Sequence, residues 1–337
     1  MKTPHLLQRT IQLSADVEQV PVSTETSVIP PSSRVDAFAR ASVPVRRSDP
    51  GVPVVGSILG GAYRVESVLG TAAMHLLYTA TELKTNRRVA LQVLRPEAAR
   101  RPELSLRFLR EARAAQRIHG EHAARVLDVG TLESGAPYMA TEYIEGTDLA
   151  RMLRGRGPLP LPELCDIGVQ ICEALAEAHA AGVLHKNLEP AKLILTTGAD
   201  GAPLLKVLAF GISRMSALDP CDSGAMTAAV ILPSSPLYRA PEQLRAGKEV
   251  DARADIWAIG AILFELSAGT PPFHAPTPLD LAVAVAREAP RSLRAIRPDL
   301  PKEFEKIILR CLEKDPDKRF ARASDLAAAL RKLGRAR

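Results

Sequence analysis

An α+β architecture, with a small β-rich lobe leading into a larger and mainly helical one, is what this sequence predicts, on three observations. Between Tyr63 and Leu94 the apolar residues fall in short β-prone runs divided by turn residues. After Gly146 they recur at helical spacing, most clearly from Pro162 to Ala181. The length of 337 residues, 46% apolar and 24% charged, supplies a buried core and is the balance of an ordinary folded chain.

The elements follow in order. Residues 1–56 are rich in Pro, Ser, Thr and Val, with the breakers Pro30, Pro31, Pro50 and Pro53 and no sustained period, and are expected to be a flexible leader. Tyr63–Val65, Leu76–Tyr78 and Val89–Leu94 are predicted as antiparallel strands, separated by Gly70 and by Lys84, Thr85 and Asn86. Pro102 opens a helix whose Leu104, Phe108, Ala112 and Ala115 share one face. Strands near Arg125–Val129 and Tyr138–Tyr143 complete a lobe over about 60–143. In the second lobe, about 146–335, Leu164, Ile167, Ile171, Leu175 and Ala178 mark an amphipathic helix. The segment Ala254–Ala268 is apolar all round and predicts a buried central helix. Helices near Pro301–Leu312 and Ala323–Leu333 close the chain, with Lys332 placed to suit the helix dipole. There is no internal repeat.

Composition narrows the function classes. The net charge of +6 comes from scattered arginines without an interleaved aromatic stripe, which argues against nucleic acid and leaves acidic protein partners open. The four cysteines, Cys165, Cys172, Cys221 and Cys311, have no metal-ligand spacing and suit a reduced, cytoplasmic setting. The longest apolar stretch, Ile256–Leu266, is interrupted by Glu265 and is too short for a bilayer, and no cleavable signal is expected at the amino terminus.

Motifs in fixed order then carry a resemblance. They are Val89-Ala90-Leu91-Gln92, His185-Lys186-Asn187-Leu188-Glu189-Pro190-Ala191-Lys192, Ala209-Phe210-Gly211, Ala240-Pro241-Glu242, Asp255-Ile256-Trp257 and the late Arg319. Over about 60–335 the chain resembles the eukaryotic-type Ser/Thr protein kinases, with wording closest to the bacterial ones, and so implies a two-lobed kinase-like fold over 57–335.

The resemblance also shows what is replaced. Phosphoryl transfer relies on positioning and on cations that neutralise developing charge. Gln92 stands at the position of the phosphate-binding lysine, so Glu111, that lysine's helix partner, is expected to lose its counter-ion. In the glycine-rich loop Gly70 persists, but Ala72 and His75 occupy the next glycine positions, where a Cβ hinders approach to phosphate. Ala209 replaces the metal-binding aspartate and Lys192 the metal-binding asparagine; neither offers an oxygen to magnesium. Asn187 replaces the proton-accepting aspartate and is too weakly basic for that role. Glu189 puts a negative charge where the family carries a lysine. His185, Phe210, Gly211, Glu242, Asp255 and Arg319 are retained as scaffold.

The expectation is therefore a degenerate member, a pseudokinase that regulates or scaffolds through protein partners, among them an active kinase. It has no catalytic set intact, no membrane segment, no required cofactor, at most weak ATP binding, and no use for Mg2+. The implied nucleotide pocket is Leu69, Gly70, Ala90, Thr141 and Ile194 with the hinge Glu142, Tyr143 and Ile144. Lys192 either supplies a fixed charge for metal-independent nucleotide binding or pairs with Glu189 or Glu111 and fills the cleft. Two alternatives stand beside this reading: a Ser/Thr kinase with residual or unorthodox phosphotransfer, and a nucleotide sensor without turnover. Ser213, Ser223, Thr227, Ser234 and Ser235 lie in the activation-loop region, where added phosphate would meet Lys186 or Arg239.

Overall fold

The computed structural model describes residues 52–71, 74–210, 236–245 and 249–335. Most of the leader, Ala72, Gly211, Cys221 and the five hydroxyl residues of the activation-loop region lie outside the described residues.

The first lobe is an antiparallel sheet of β1 (Ile58–Leu59), β2 (Tyr63–Thr71), β3 (His75–Glu82), β4 (Arg87–Leu94), β5 (Val126–Thr131) and β6 (Pro137–Glu142), ordered β1-β2-β3-β4-β6-β5. The expected run at Tyr63 extends to Thr71, so Gly70 is not a separator. It pairs with Leu77 inside the ladder, next to a register shift between Val68 and Gly70 that lets the strand continue. Asn86, by contrast, takes a left-handed φ of 55° in the β3–β4 turn, a conformation its short polar side chain tolerates. The last residues of the expected 1–56 leader are tied to this lobe: Gly56 N–H donates to Val65 O at 2.8 Å and Tyr78 Oη to Pro53 O at 3.3 Å.

One sheet face buries Tyr63, Val65, Leu76, Tyr78, Val89, Leu91 and Val93. Against the other packs α2 (Pro102–Ala115), which follows the short α1 (Pro96–Ala99) and buries the four residues its spacing predicts, Leu104, Phe108, Ala112 and Ala115. Pro102 opens it, where a missing N–H costs nothing.

A three-stranded sheet, β7 (Thr147–Asp148), β8 (Leu193–Thr197) and β9 (Pro203–Val207), lies at the start of the second lobe. Sequence reading did not anticipate these strands, which are short and lack alternation. It also missed α3 (Leu149–Arg156), which Asp148 caps by accepting from Arg151 N–H at 2.8 Å. The long α4 (Leu161–Ala180) and central α5 (Arg253–Ala268) fall within a residue of expectation. Almost every residue of α5 is buried, as its all-round apolarity requires, and Gly269 ends it at φ 74°. Then come α6 (Pro278–Arg287), α7 (Leu293–Ile296), α8 (Lys302–Cys311) and α9 (Ala323–Arg335). Among the described residues no helix is long and apolar enough to cross a membrane. The thiols of Cys172 and Cys311 are buried, and burial pushes that of Cys311 up to about 12.

The two lobes are stitched by backbone. Ala124 N–H donates to Val207 O at 2.9 Å, and Val207 N–H to His122 O at 2.8 Å, so β9 is fastened to the strap that leads into β5.

Candidate functional site

The cleft between the lobes is built from β2 to β4 above and the segment 185–210 below. On the roof, Leu69 and Ala90 are buried, and Thr141 Oγ1 reaches Ala90 O at 3.4 Å across β4 and β6. On the floor, Ile194 and Leu208 pack with Ala124, Ile144 and Ala209 as a small apolar cluster. The hinge carboxylate of Glu142 is occupied, accepting from Arg125 N–H and Lys206 Nζ at 2.9 Å each, while Arg88 stacks over the Tyr143 ring at 4.4 Å. Of the adenine-facing positions expected from sequence, Thr141 thus meets Ala90 in the upper sheet, and Ile194 packs with the hinge residue Ile144 below.

The polar end is a different environment. Gln92, nearly buried, sits in β4 between Leu77 of β3 and Met139 of β6. Glu111 does not lose a cation. Arg107, one turn earlier on α2, places Nε 3.2 Å from its Oε1, and both side chains are 16% exposed. The i,i+4 spacing of these residues is the signal in the sequence for that pair.

Lys192 also finds a local partner. Its Nζ lies 3.1 Å from Glu189 Oε1 and donates to Asn187 O at 2.7 Å, so it pairs with Glu189 rather than with Glu111. Both partners are local: Pro190–Lys192 is one 3-10 turn whose closing Lys192 N–H donates to Glu189 O at 2.9 Å, placing the i,i+3 side chains together. Burial lowers the Lys192 pKa, against the opposing pull of Glu189, and the charge of Arg239 lowers it further.

His75, at the start of β3, turns its Nδ1 into the protein, where it has no hydrogen-bond partner among the described residues. Burial, then the positive charges of Lys192 and Arg95, push its pKa down to about 4. The residue at a glycine-loop position and the residue at a metal-ligand position therefore feel each other, and the imidazole stays neutral beside the ammonium.

Beneath this lies the retained scaffold. His185 is fully buried, its Nε2 2.9 Å from Leu208 O and its ring edge-on to Phe210 with centroids 5.1 Å apart. The buried Asp255 carboxylate accepts from His185 N–H at 2.9 Å and Lys186 N–H at 2.7 Å, fixing the loop at a point where Lys186 adopts φ 60°. His179 Nε2 completes the set 2.8 Å from Asp255. Burial alone would raise the Asp255 pKa, but hydrogen bonds and the nearby imidazoles outweigh it and lower the value. No local pattern pointed to His179, which stands 76 residues away in sequence. Glu242 and Arg319 form a bidentate buried pair at 2.7 and 2.9 Å.

Ala209 presents a methyl group, held at φ 63°, and Lys192 a paired ammonium; neither donates to a hard cation, so magnesium does not fit these positions. Asn187 contributes its carbonyl to Lys192.

Residues 63–329 match the family model described as protein kinase domain. Among curated proteins, the serine/threonine-protein kinase pkn3 of Myxococcus xanthus is 35% identical over 286 residues, covering 84% of this chain and 52% of that protein. The serine/threonine-protein kinase PknB of Mycobacterium tuberculosis is 33% identical over 277 residues, 81% of this chain and 43% of that one. The chain thus spans about half the length of the curated relatives it matches. The crystal structure of the Mycobacterium tuberculosis PknI kinase domain superposes with a TM-score of 0.63 at 30% identity, over 83% of this chain and 99% of that one.

Proposed function

Because the chain belongs to the protein kinase domain family, of the bacterial-like Ser/Thr type, we propose that it is a catalytically impaired member, a pseudokinase that regulates or scaffolds phosphorylation signalling through protein partners. The observation that carries this reading is the Lys192 ammonium held between Glu189 and the Asn187 carbonyl, taken together with a methyl group at Ala209. Where the resemblance implies oxygen ligands, the cleft carries a cation and a methyl. Losing one electrostatic donor costs roughly 100- to 1000-fold in rate. Here the lysine, both metal ligands and the base are replaced together, and such losses act as a unit rather than multiplying. The packing positions around His185, Asp255 and Arg319 are meanwhile intact, which fits a module working through shape. Its cysteine usage suits a cytoplasmic setting.

A second reading, a Ser/Thr kinase with unorthodox phosphotransfer, is favoured by the relatives pkn3 and PknB, both named as Ser/Thr kinases. The nucleotide-sensor reading needs the Lys192 charge to be available to phosphate, whereas Glu189 already holds it. One experiment separates these. The protein is incubated with labelled ATP, magnesium or manganese and generic substrates, beside a Gln92→Ala variant, and its melting is followed with millimolar ATP. The pseudokinase reading expects no transfer above background from either protein. Transfer that disappears in the variant overturns it in favour of the kinase, and an upward melting shift without transfer favours the sensor.

A further inference from the structure

The outward face of α2 carries a pattern that neither the cleft nor the packing of the lobe uses. Leu106, Arg110 and Arg113 follow one another at spacings of four and three on the side of α2 opposite Leu104, Phe108, Ala112 and Ala115, and Arg117, in the turn just past the helix where its N–H donates to Ala114 O at 3.2 Å, continues the row. Leu106 is 69% exposed, and the three arginines are exposed as well. The row is nearly uncompensated. Glu103, at its head, is taken by Arg101 at 2.7 Å, and Glu111 by Arg107. Arg117 uses one nitrogen on Ala181 O at 3.0 Å. Among the described residues, Arg110 and Arg113 have no acidic partner.

A solvated helix face normally intersperses both signs, and like charges three and four apart oppose the helix that carries them. A row of arginines is stabilised when carboxylates cover it, because a planar guanidinium pairs with carboxylate through two parallel bonds. A large aliphatic side chain at the head of such a row supplies an apolar anchor beside the charges. We propose that this face of α2 docks an acidic protein segment, a helix presenting a leucine-sized apolar side chain followed by glutamates or aspartates at three- and four-residue spacing over about 16 Å. Acidic protein is favoured over nucleic acid because the row contains an exposed leucine and no aromatic residue for a base to stack on. The proposal gives a surface to the scaffolding role but stands whether or not the cleft transfers phosphate.

The test uses the full chain and a fluorescein-labelled helical peptide with one leucine and glutamates at i, i+3, i+4 and i+7, read by anisotropy. Binding is expected to weaken as salt is raised, at least tenfold in the double variant Arg110→Glu/Arg113→Glu, and about fivefold in Leu106→Ala, since rim charges steer while the apolar anchor holds. These positions are exposed, so melting temperatures should match wild type; a variant that melts early is replaced by Arg110→Gln/Arg113→Gln, with the same expectation. Equal binding to the charge-reversed protein overturns the proposal, as does tighter binding of a short single-stranded oligothymidine than of the peptide. Phosphotransfer assays on the same variants report on the cleft separately, so failure here leaves the pseudokinase reading untouched.

Discussion

The Lys192 ammonium lies 3.1 Å from Glu189 Oε1 and 2.7 Å from the Asn187 carbonyl oxygen, so two residues of opposite charge neutralise each other within a single turn of chain. A lysine alone in this place would leave a poorly hydrated positive charge beside His75. Glutamate at 189 supplies its counter-ion, so the two side chains act as one unit.

From this pairing follows an asymmetry in stability. Glu189→Gln strands a buried cation and should cost about 1–3 kcal/mol, below the ~3–5 kcal/mol of a fully buried pair because both side chains keep some solvent contact. Lys192→Met removes the charge that burial penalises and should stay within about 1 kcal/mol of wild type. Urea midpoints of the two variants and of their double mutant check this. Equal losses from both single substitutions would mean that the contact contributes nothing of the kind.

Returning oxygen ligands to the cleft should restore a cation requirement. Ala209→Asp is compatible with the backbone, since Ala209 already sits at φ 63°, a conformation aspartate adopts more readily than alanine. Combined with Lys192→Asn, it puts carboxylate and amide oxygens where a methyl and an ammonium now stand. The double variant should gain a magnesium-dependent upward melting shift with ATP, about 2–4 °C for each kcal/mol of linkage, that the wild-type chain lacks. A shift of equal size in both proteins would show that Lys192 and Ala209 are not what governs the metal.

The buried pair Glu242–Arg319 should behave as a clasp of the second lobe. Arg319 also donates to Glu313 O at 2.8 Å and Arg253 O at 2.9 Å, and stacks over Trp257 at 5.1 Å, so three segments meet on one guanidinium: Glu242, Glu313 and α5. Glu242→Gln should lower stability by about 3–5 kcal/mol, and Arg319→Lys nearly as much, because an ammonium cannot reproduce the two parallel bonds. Chemical denaturation of each variant reads the result; a lysine variant as stable as wild type would reduce the clasp to a simple charge contact.

How much of this was legible in the sequence depends on the range of the interaction. The buried face of α2, the all-round burial of α5 and the meeting of His185 with Phe210 follow from spacing and motif, because the signal lies in the residues themselves. The strands β7 to β9 were hidden because two- to five-residue strands carry too few positions for alternation to show. His179 was missed because its partner Asp255 comes from another helix, and only the tertiary fold makes them neighbours. Glu111 differs from expectation for another reason: the family's lysine position holds Gln92 here, and the cation that meets Glu111 is Arg107, four residues before it in the same helix.

The polar end of the cleft should also make the protein sensitive to acid. His75 and His185 are both held neutral: burial, then the charge of Lys192, push each from 6.5 down to about 4. In the unfolded chain these imidazoles take up their protons near pH 6.5, so between about 6.5 and about 4 the unfolded state binds more protons than the folded one. Stability is therefore full above that window and falls as the pH drops through it, by on the order of 3 kcal/mol for each histidine at most. Thermal melts at pH 7, 5.5 and 4.5 should show the fall. His75→Gln should make it shallower, since glutamine cannot be protonated in this range. Lys192→Met should do so as well, by removing a charge that holds both imidazoles down while leaving burial in place. A melting temperature unchanged between pH 7 and 4.5 would mean that the imidazoles are solvated and that His75 and Lys192 do not share a buried site.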